Sequence, residues 1–206
     1  LMNCARRAVA TRFVYASWEG AFAFAAARRQ RLAAAAVWPQ HDAPMRRTHE
    51  LLKTKLEDEG LDMPLLVQGE GSKNDLLQRF RHHGASILVG SQSFWEGVDV
   101  RGEALSLVVI DKIPFAPPDD PVLAARIEQM RQQGRNAFIE YQLPRAVINV
   151  KQGAGRLIRD ETDMGVLMIC DPRLISKPYG RKVWQSLPPM KRTKELSEVL
   201  NFFASR

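Results

Sequence analysis

Three short runs constrain this chain more than anything else in it. Residues 85–90, 105–111 and 165–171 are apolar at nearly every position rather than at every second one. A strand with one wet face alternates, whereas a strand apolar throughout must be covered on both sides. Helical patterns separate these runs. Residues 46–59 place Leu52 and Leu56 on one face and stop at Gly60. Ser72 and Asp75 have the spacing of a capping box that opens a helix through about residue 81. A short apolar strand fits residues 64–68. Helices fit 121–133 and 144–158, with weaker ones near Lys182 and Lys194. The run Ile113-Pro114-Phe115-Ala116-Pro117-Pro118 cannot be helix or inner strand, because its prolines lack N–H donors. Apolar strands alternating with helices predict an α/β fold, a mainly parallel sheet between two helical layers.

At 206 residues, with 45% hydrophobic and 26% charged side chains, the chain can build its own core. Cys4 and Cys170 are its two cysteines and no Cys-x-x-Cys occurs, which leaves no disulfide framework and no means of holding an iron–sulfur cluster here. No apolar run approaches the ~18 residues that span a bilayer. The expectation is a soluble, cytoplasmic protein.

The net charge of +7 points toward a phosphate-bearing partner, and its distribution is uneven. Residues 1–46 hold seven Arg against Glu19 and Asp42, a balance of +5, while residues 47–206 carry only +2. That Ala- and Arg-rich head reads as a targeting peptide, as a basic helical arm on nucleic acid, or as a segment with no fold of its own. Composition divides the chain at 46 into a head that is poorly ordered, loosely helical or a misread start and a folded body, 47–206, and Pro39 and Pro44 argue against a central strand in residues 37–44.

Open parallel sheets bind ligands at the carboxyl ends of their strands, which directs attention to two segments. The first is Gly90-Ser91-Gln92-Ser93-Phe94-Trp95-Glu96-Gly97-Val98-Asp99. It clusters hydroxyls, two aromatics, two carboxylates and a glycine that permits close backbone approach. Phe94 and Trp95 read equally as pins holding a surface loop. Glu96 and Asp99 could orient a ribose, a metal-bound water or a partner arginine. The second segment is Gln152-Gly153-Ala154-Gly155-Arg156-Leu157-Ile158-Arg159. As helix it puts Gln152, Arg156 and Arg159 on one face, with Leu157 and Ile158 turned to the core. Two glycines at roughly 1 kcal/mol each suggest that something approaches this backbone closely. Planar guanidinium forks suit a polyphosphate, although arginines pairing with Asp160 and Glu161 in solvent would look the same. His82-His83, Asp119-Asp120 and Lys191-Arg192-Thr193-Lys194 are weaker candidates, read as a loop pair, a helix start and a solvated tail. There is no G-x-x-x-x-G-K-[ST] phosphate loop and no G-x-G-x-x-G.

Ser93-Phe94-Trp95-Glu96-Gly97-Val98-Asp99, then Lys112-Ile113-Pro114-Phe115, then Gln152 through Arg159, resemble in that order the second motor domain of DinG/XPD-like superfamily 2 DNA helicases, especially the YoaA-type bacterial members. Asp171-Pro172-Arg173-Leu174 with Tyr179-Gly180 fits the same family. The resemblance covers about residues 47–206. It implies a RecA-like three-layer sandwich whose cleft toward a first motor domain binds ATP with Mg2+. Gln152, Gly155, Arg156 and Arg159 would face the triphosphate, the two arginines as catalytic residues. Glu96, Gly97 and Asp99 would link nucleotide to nucleic acid. Ser91, Ser93, Phe94 and Trp95 would hold single-stranded or forked DNA. The partner half, expected to carry the phosphate loop, metal-binding acidic residues and iron–sulfur cysteines, is not in this chain, so the fragment alone is expected to be inactive. Translocation would run 5′ to 3′. The other reading is a non-catalytic nucleic-acid-binding or regulatory module on the same fold.

Overall fold

The computed structural model describes residues 11–15, 34–38, 42–91, 94, 105–157 and 165–204. Seven strands, β1 (Thr11–Tyr15), β2 (Ala34–Trp38), β3 (Leu65–Val67), β4 (Ser86–Val89), β5 (Leu107–Ile110), β6 (Gly165–Ile169) and β7 (Lys191–Thr193), form one sheet in the order β3-β4-β2-β5-β6-β1-β7. Every pairing is parallel. Leu107 lies opposite Val166 and Ile110 opposite Ile169, so β5 and β6 are in step along their whole length.

The helices are α1 (Asp42–Asp58), α2 (Lys73–His83), α3 (Pro121–Gln132), α4 (Leu143–Leu157), α5 (Arg173–Ser176), α6 (Gly180–Gln185) and α7 (Leu196–Ala204). Their ends follow the local chemistry. The Ser72 hydroxyl accepts the Asp75 N–H at 3.2 Å, and α2 stops before Gly84, which has a φ of 66°. Asp120 caps α3 by accepting the N–H groups of Val122 and Leu123, with Pro121 in the first turn. A π-helical turn, Phe138–Gln142, runs directly into α4.

The uniformly apolar strands are explained by the layers. Leu88, Val108, Ile110, Leu167 and Ile169 meet α2, α4 and α6 on one face. Ile87, Val89, Leu107, Val109, Val166 and Met168 meet α1 and α7 on the other. This is the three-layer α/β sandwich the sequence predicts. The apolar side of α4 consists of Leu143, Ala146, Val150, Gly153, Ala154 and Leu157. Gly165 lets it approach, because a Cβ there would sit 2.5 Å from Leu157 Cδ1 and 2.9 Å from the Ser106 carbonyl oxygen.

Two expectations need correction. Val37 and Trp38 lie within the sheet, and the described part of the head, residues 11–15 and 34–38, belongs to it. β2 lies between β4 and β5, and β1 lies between β6 and β7, so the division at residue 46 does not divide the sheet. Pro44 is compatible with this because it falls in the first turn of α1, where no helix N–H is required. Near Lys194 the chain first adds the edge strand β7, and α7 begins only after Glu195, whose N–H donates to Thr193 Oγ1. Among the described residues no helix is long and apolar enough to cross a membrane.

Candidate functional site

The second segment lies on the last turns of α4. Gln152 and Gly155 are exposed, Arg156 is half-exposed, and Leu157, only 2% exposed, anchors the helix behind them. Burial of such a leucine contributes about 2 kcal/mol, so the position of Arg156 is fixed through its neighbour. A Cβ at Gly155 would meet no atom within 4 Å. Nothing described in this chain therefore requires that glycine, and the open helix face beside Gln152 and Arg156 has room for a ligand from outside. Gly153 is buried against the core instead. Arg159 lies outside the described residues, so the structure brings Gln152, Gly155 and Arg156 together and leaves the fourth member untested.

This cluster is not at the carboxyl ends of the strands, where the sequence directed attention. Leu157 packs on Gly165, the first residue of β6, and Ser106 just before β5 accepts the Val166 N–H. Arg156 thus sits at the amino end of the sheet. The physical reason is the parallel crossover: a helix leading from β5 to β6 must run antiparallel to both and finish where β6 begins.

At the opposite end, the first segment leaves β4. Ser91 is nearly buried, and both its N–H and its hydroxyl donate to Gln68 Oε1, at 2.7 and 2.9 Å. Phe94 is 5% exposed and joins the core, its ring so close to Gly90 that a Cβ there would be 2.9 Å away. This geometry bears on two of the expected nucleic-acid contacts. Phe94 has no free face on which a base could stack, because its ring pins the loop. The donors of Ser91 are already engaged by Gln68, so a phosphate would have to displace that amide. Ser93, Trp95, Glu96, Gly97 and Asp99 lie outside the described residues.

Sequence reasoning missed Gln68, whose only signal was an amide directly after the run Leu65-Leu66-Val67. It also undervalued Asp171. This fully buried carboxylate follows β6 and accepts the Ile113 N–H at 2.8 Å and the Arg173 N–H at 2.9 Å. Arg173 grips it side-on as well, Nε reaching both oxygens and Nη2 reaching Oδ2 at 2.6 Å. Burial pushes the Asp171 carboxyl up, but the Arg173 guanidinium and the two backbone N–H groups outweigh it and hold it below the usual carboxylate range. The same guanidinium lies 5.2 Å from the Phe115 ring, which stacks on Phe138 and meets Tyr179 edge-on. Lys112 through Phe115 are thereby locked to the end of β6.

The weaker candidates behave as structure. His82 and His83 are exposed at the end of α2. In the 191–194 run, Arg192 lies 3.8 Å over Trp184 and Lys191 pairs with Glu198 at 3.3 Å. Cys170 is buried, which pushes its thiol up to about 12. Among the described residues no group of three or more His, Cys, Asp or Glu could hold a metal ion.

Comparison with known proteins agrees with this layout. Residues 34–190 match the family model described as the helicase C-terminal domain, which takes in β2 and the body up to the start of β7. The chain is 56% identical over 144 residues to the ATP-dependent DNA helicase YoaA of Escherichia coli, covering 70% of this chain and 23% of that protein. It is 41% identical over 146 residues to the ATP-dependent helicase DinG of Mycobacterium tuberculosis, covering 71% and 22%. The fold resembles that of a solved XPD helicase with a TM-score of 0.63 at 22% identity, over 90% of this chain and 35% of that one. The chain spans less than a quarter of the length of these two curated relatives.

Proposed function

Since the chain belongs to the helicase C-terminal domain family, we propose that it acts as the second motor domain of an ATP-dependent DNA helicase of the DinG/YoaA kind. The observation that carries this is the open face of α4, where Gln152, Gly155 and Arg156 stand together at the amino end of β6 over a rigid apolar anchor. That face supplies one wall of a nucleotide site, and a phosphate-loop domain elsewhere in the full protein supplies the other. Gln152 orients the outer phosphates. Arg156 and Arg159 offer planar donor forks that neutralise charge growing on the transferred phosphoryl group, an effect worth about 10³–10⁵ in rate. Mg2+ belongs to the other wall, whose acidic residues this chain does not provide.

The nucleic-acid track belongs to the opposite end of the sheet. There Ser93 and Trp95 contact the strand, within a loop braced by Ser91, Gln68 and Phe94. β4 and β5 run parallel, so the chain leaves one end of the sheet and re-enters at the other. Glu96, Gly97 and Asp99 lie on that passage and couple the two ends. Closing and opening of the ATP cleft then shifts the chain's hold on a single strand, 5′ to 3′.

The test is to join this chain to the phosphate-loop half of a DinG or YoaA relative and measure ATP hydrolysis with and without single-stranded DNA. Hydrolysis that needs both halves and rises with DNA supports the proposal. Hydrolysis by the phosphate-loop half alone at the same rate contradicts it, and stimulation by RNA but not DNA reassigns the polymer.

A further inference from the structure

We propose a second phosphate-binding site for the nucleic-acid strand, built from Arg126 of α3, Tyr141 of the π-helical turn and Arg145 of α4. The Arg126 and Arg145 guanidinium groups lie 4.8 and 5.3 Å from the centre of the Tyr141 ring, and Arg145 Nη1 donates to the Tyr141 hydroxyl. Slight burial pushes that phenol up, but its bonds to Arg145 and Arg126 outweigh this and draw it below its ordinary value. The two arginines are thus held in place by an aromatic ring rather than by acids.

Their neighbours make the contrast. Arg131 pairs with Glu128 at 3.8 Å, and Arg135 pairs with Glu140 at 2.7 Å. Neither Arg126 nor Arg145 has a carboxylate within 4 Å among the described residues, and both are exposed. A guanidinium carries five donors, so most of each fork remains available to an oxyanion. A cavity of about 300 Å3 adjoins Arg126 and Tyr141, lined also by the Gln129 and Gln133 amides, by Met130 and by the paired Arg135 and Glu140. The π-helical turn sets the geometry, since its wider coil delivers Tyr141 one turn ahead of Arg145 on the same side.

Location identifies the ligand. Phe138 of the same turn stacks on Phe115, in the loop that leaves β5, so the corner lies toward the carboxyl ends of the strands, with the Ser91 loop and away from Arg156. A single strand crossing that end of the sheet would reach it, and its phosphodiesters are the oxyanions the forks fit. The proposal takes the identity of the polymer from the proposed function and nothing else.

The experiment measures binding of this chain to a fluorescein-labelled oligo-dT of about 20 nucleotides by anisotropy across a salt series, without ATP. Arg126→Ala with Arg145→Ala should weaken binding about tenfold and reduce the salt slope by about 1.4, two phosphates at about 0.7 each. Arg126→Lys with Arg145→Lys should keep the slope while losing part of the affinity, which loss of fold would not do. Unchanged affinity and slope in the alanine pair overturn the site. An equal drop for Arg131→Ala, a charge outside that cavity, also overturns it, since binding is then diffuse. Loss of pyrophosphate or ATP binding in the alanine pair, with oligo-dT binding intact, overturns it in favour of a free small anion. None of these readings involves ATP turnover, so they fail or succeed independently of the role of Arg156.

Discussion

At the carboxyl ends of β5 and β6 the chain satisfies itself: Asp171 receives two backbone N–H groups and a guanidinium, and the Phe138 and Tyr179 rings close on Phe115 of the Lys112–Phe115 loop. At the amino end of β6 it does the reverse, holding Leu157 tightly while Gln152 and Gly155 stand open beside Arg156. Both ends are built from residues that the family resemblance singles out. The difference teaches that one set of these residues stabilises the platform and the other is presented to a partner, and the two respond to substitution in opposite ways.

The largest expected effect falls at the self-satisfied end. Asp171→Asn leaves the partly exposed Arg173 fork and the Ile113 N–H without their buried charge partner and should cost about 3 kcal/mol, or about 6–12 °C in Tm for a chain of this size. The contribution has a sign in pH. Because the native carboxyl is held low, the difference between the native chain and Asp171→Asn should be constant from neutrality down to about pH 4, the unfolded carboxylate value, and shrink below it. Thermal melts of both chains across pH check this; a difference that grows on acidification would contradict it.

Next comes Gln68→Ala, which removes the acceptor that both Ser91 donors share and should cost about 1–2 kcal/mol, read as a lower Tm and faster amide exchange at Ser91. The smallest effect has the opposite sign. Gly155→Ala adds a Cβ that meets nothing, so it should stabilise the isolated chain by about 0.5–1 kcal/mol while lowering turnover in the joined enzyme. Unaltered turnover in that variant would show that the open face is not a nucleotide wall.

The sequence made the three apolar strands and the helix faces legible because periodicity and caps are local signals. Leu52, Leu56 and Leu157 are buried where those signals place them, and Asp120 caps α3. Where the reading failed, the deciding interaction was distant in sequence. Val37-Trp38 beside two prolines looks like a loop until β4 and β5 supply partners on both sides. For Phe94 the sequence offered both a pin and, through the family resemblance, a DNA contact, and the ring lies in the core against Gly90. Gln68 reaches Ser91 across 23 residues and Asp171 reaches Ile113 across 58, contacts no motif could announce. The sequence could single out Arg156 as a candidate, but its place at the amino end followed only from the direction of α4 between parallel strands.

The central claim is that Arg156 acts outward, on a nucleotide held by another domain. It is tested most directly by Arg156→Ala in the joined enzyme, with DNA-stimulated ATP turnover and thermal stability measured on the same sample. The account predicts turnover reduced about 10³-fold or more with Tm within about 2 °C of the unsubstituted enzyme. Turnover that survives, or that falls only in step with a collapsing Tm, would contradict it.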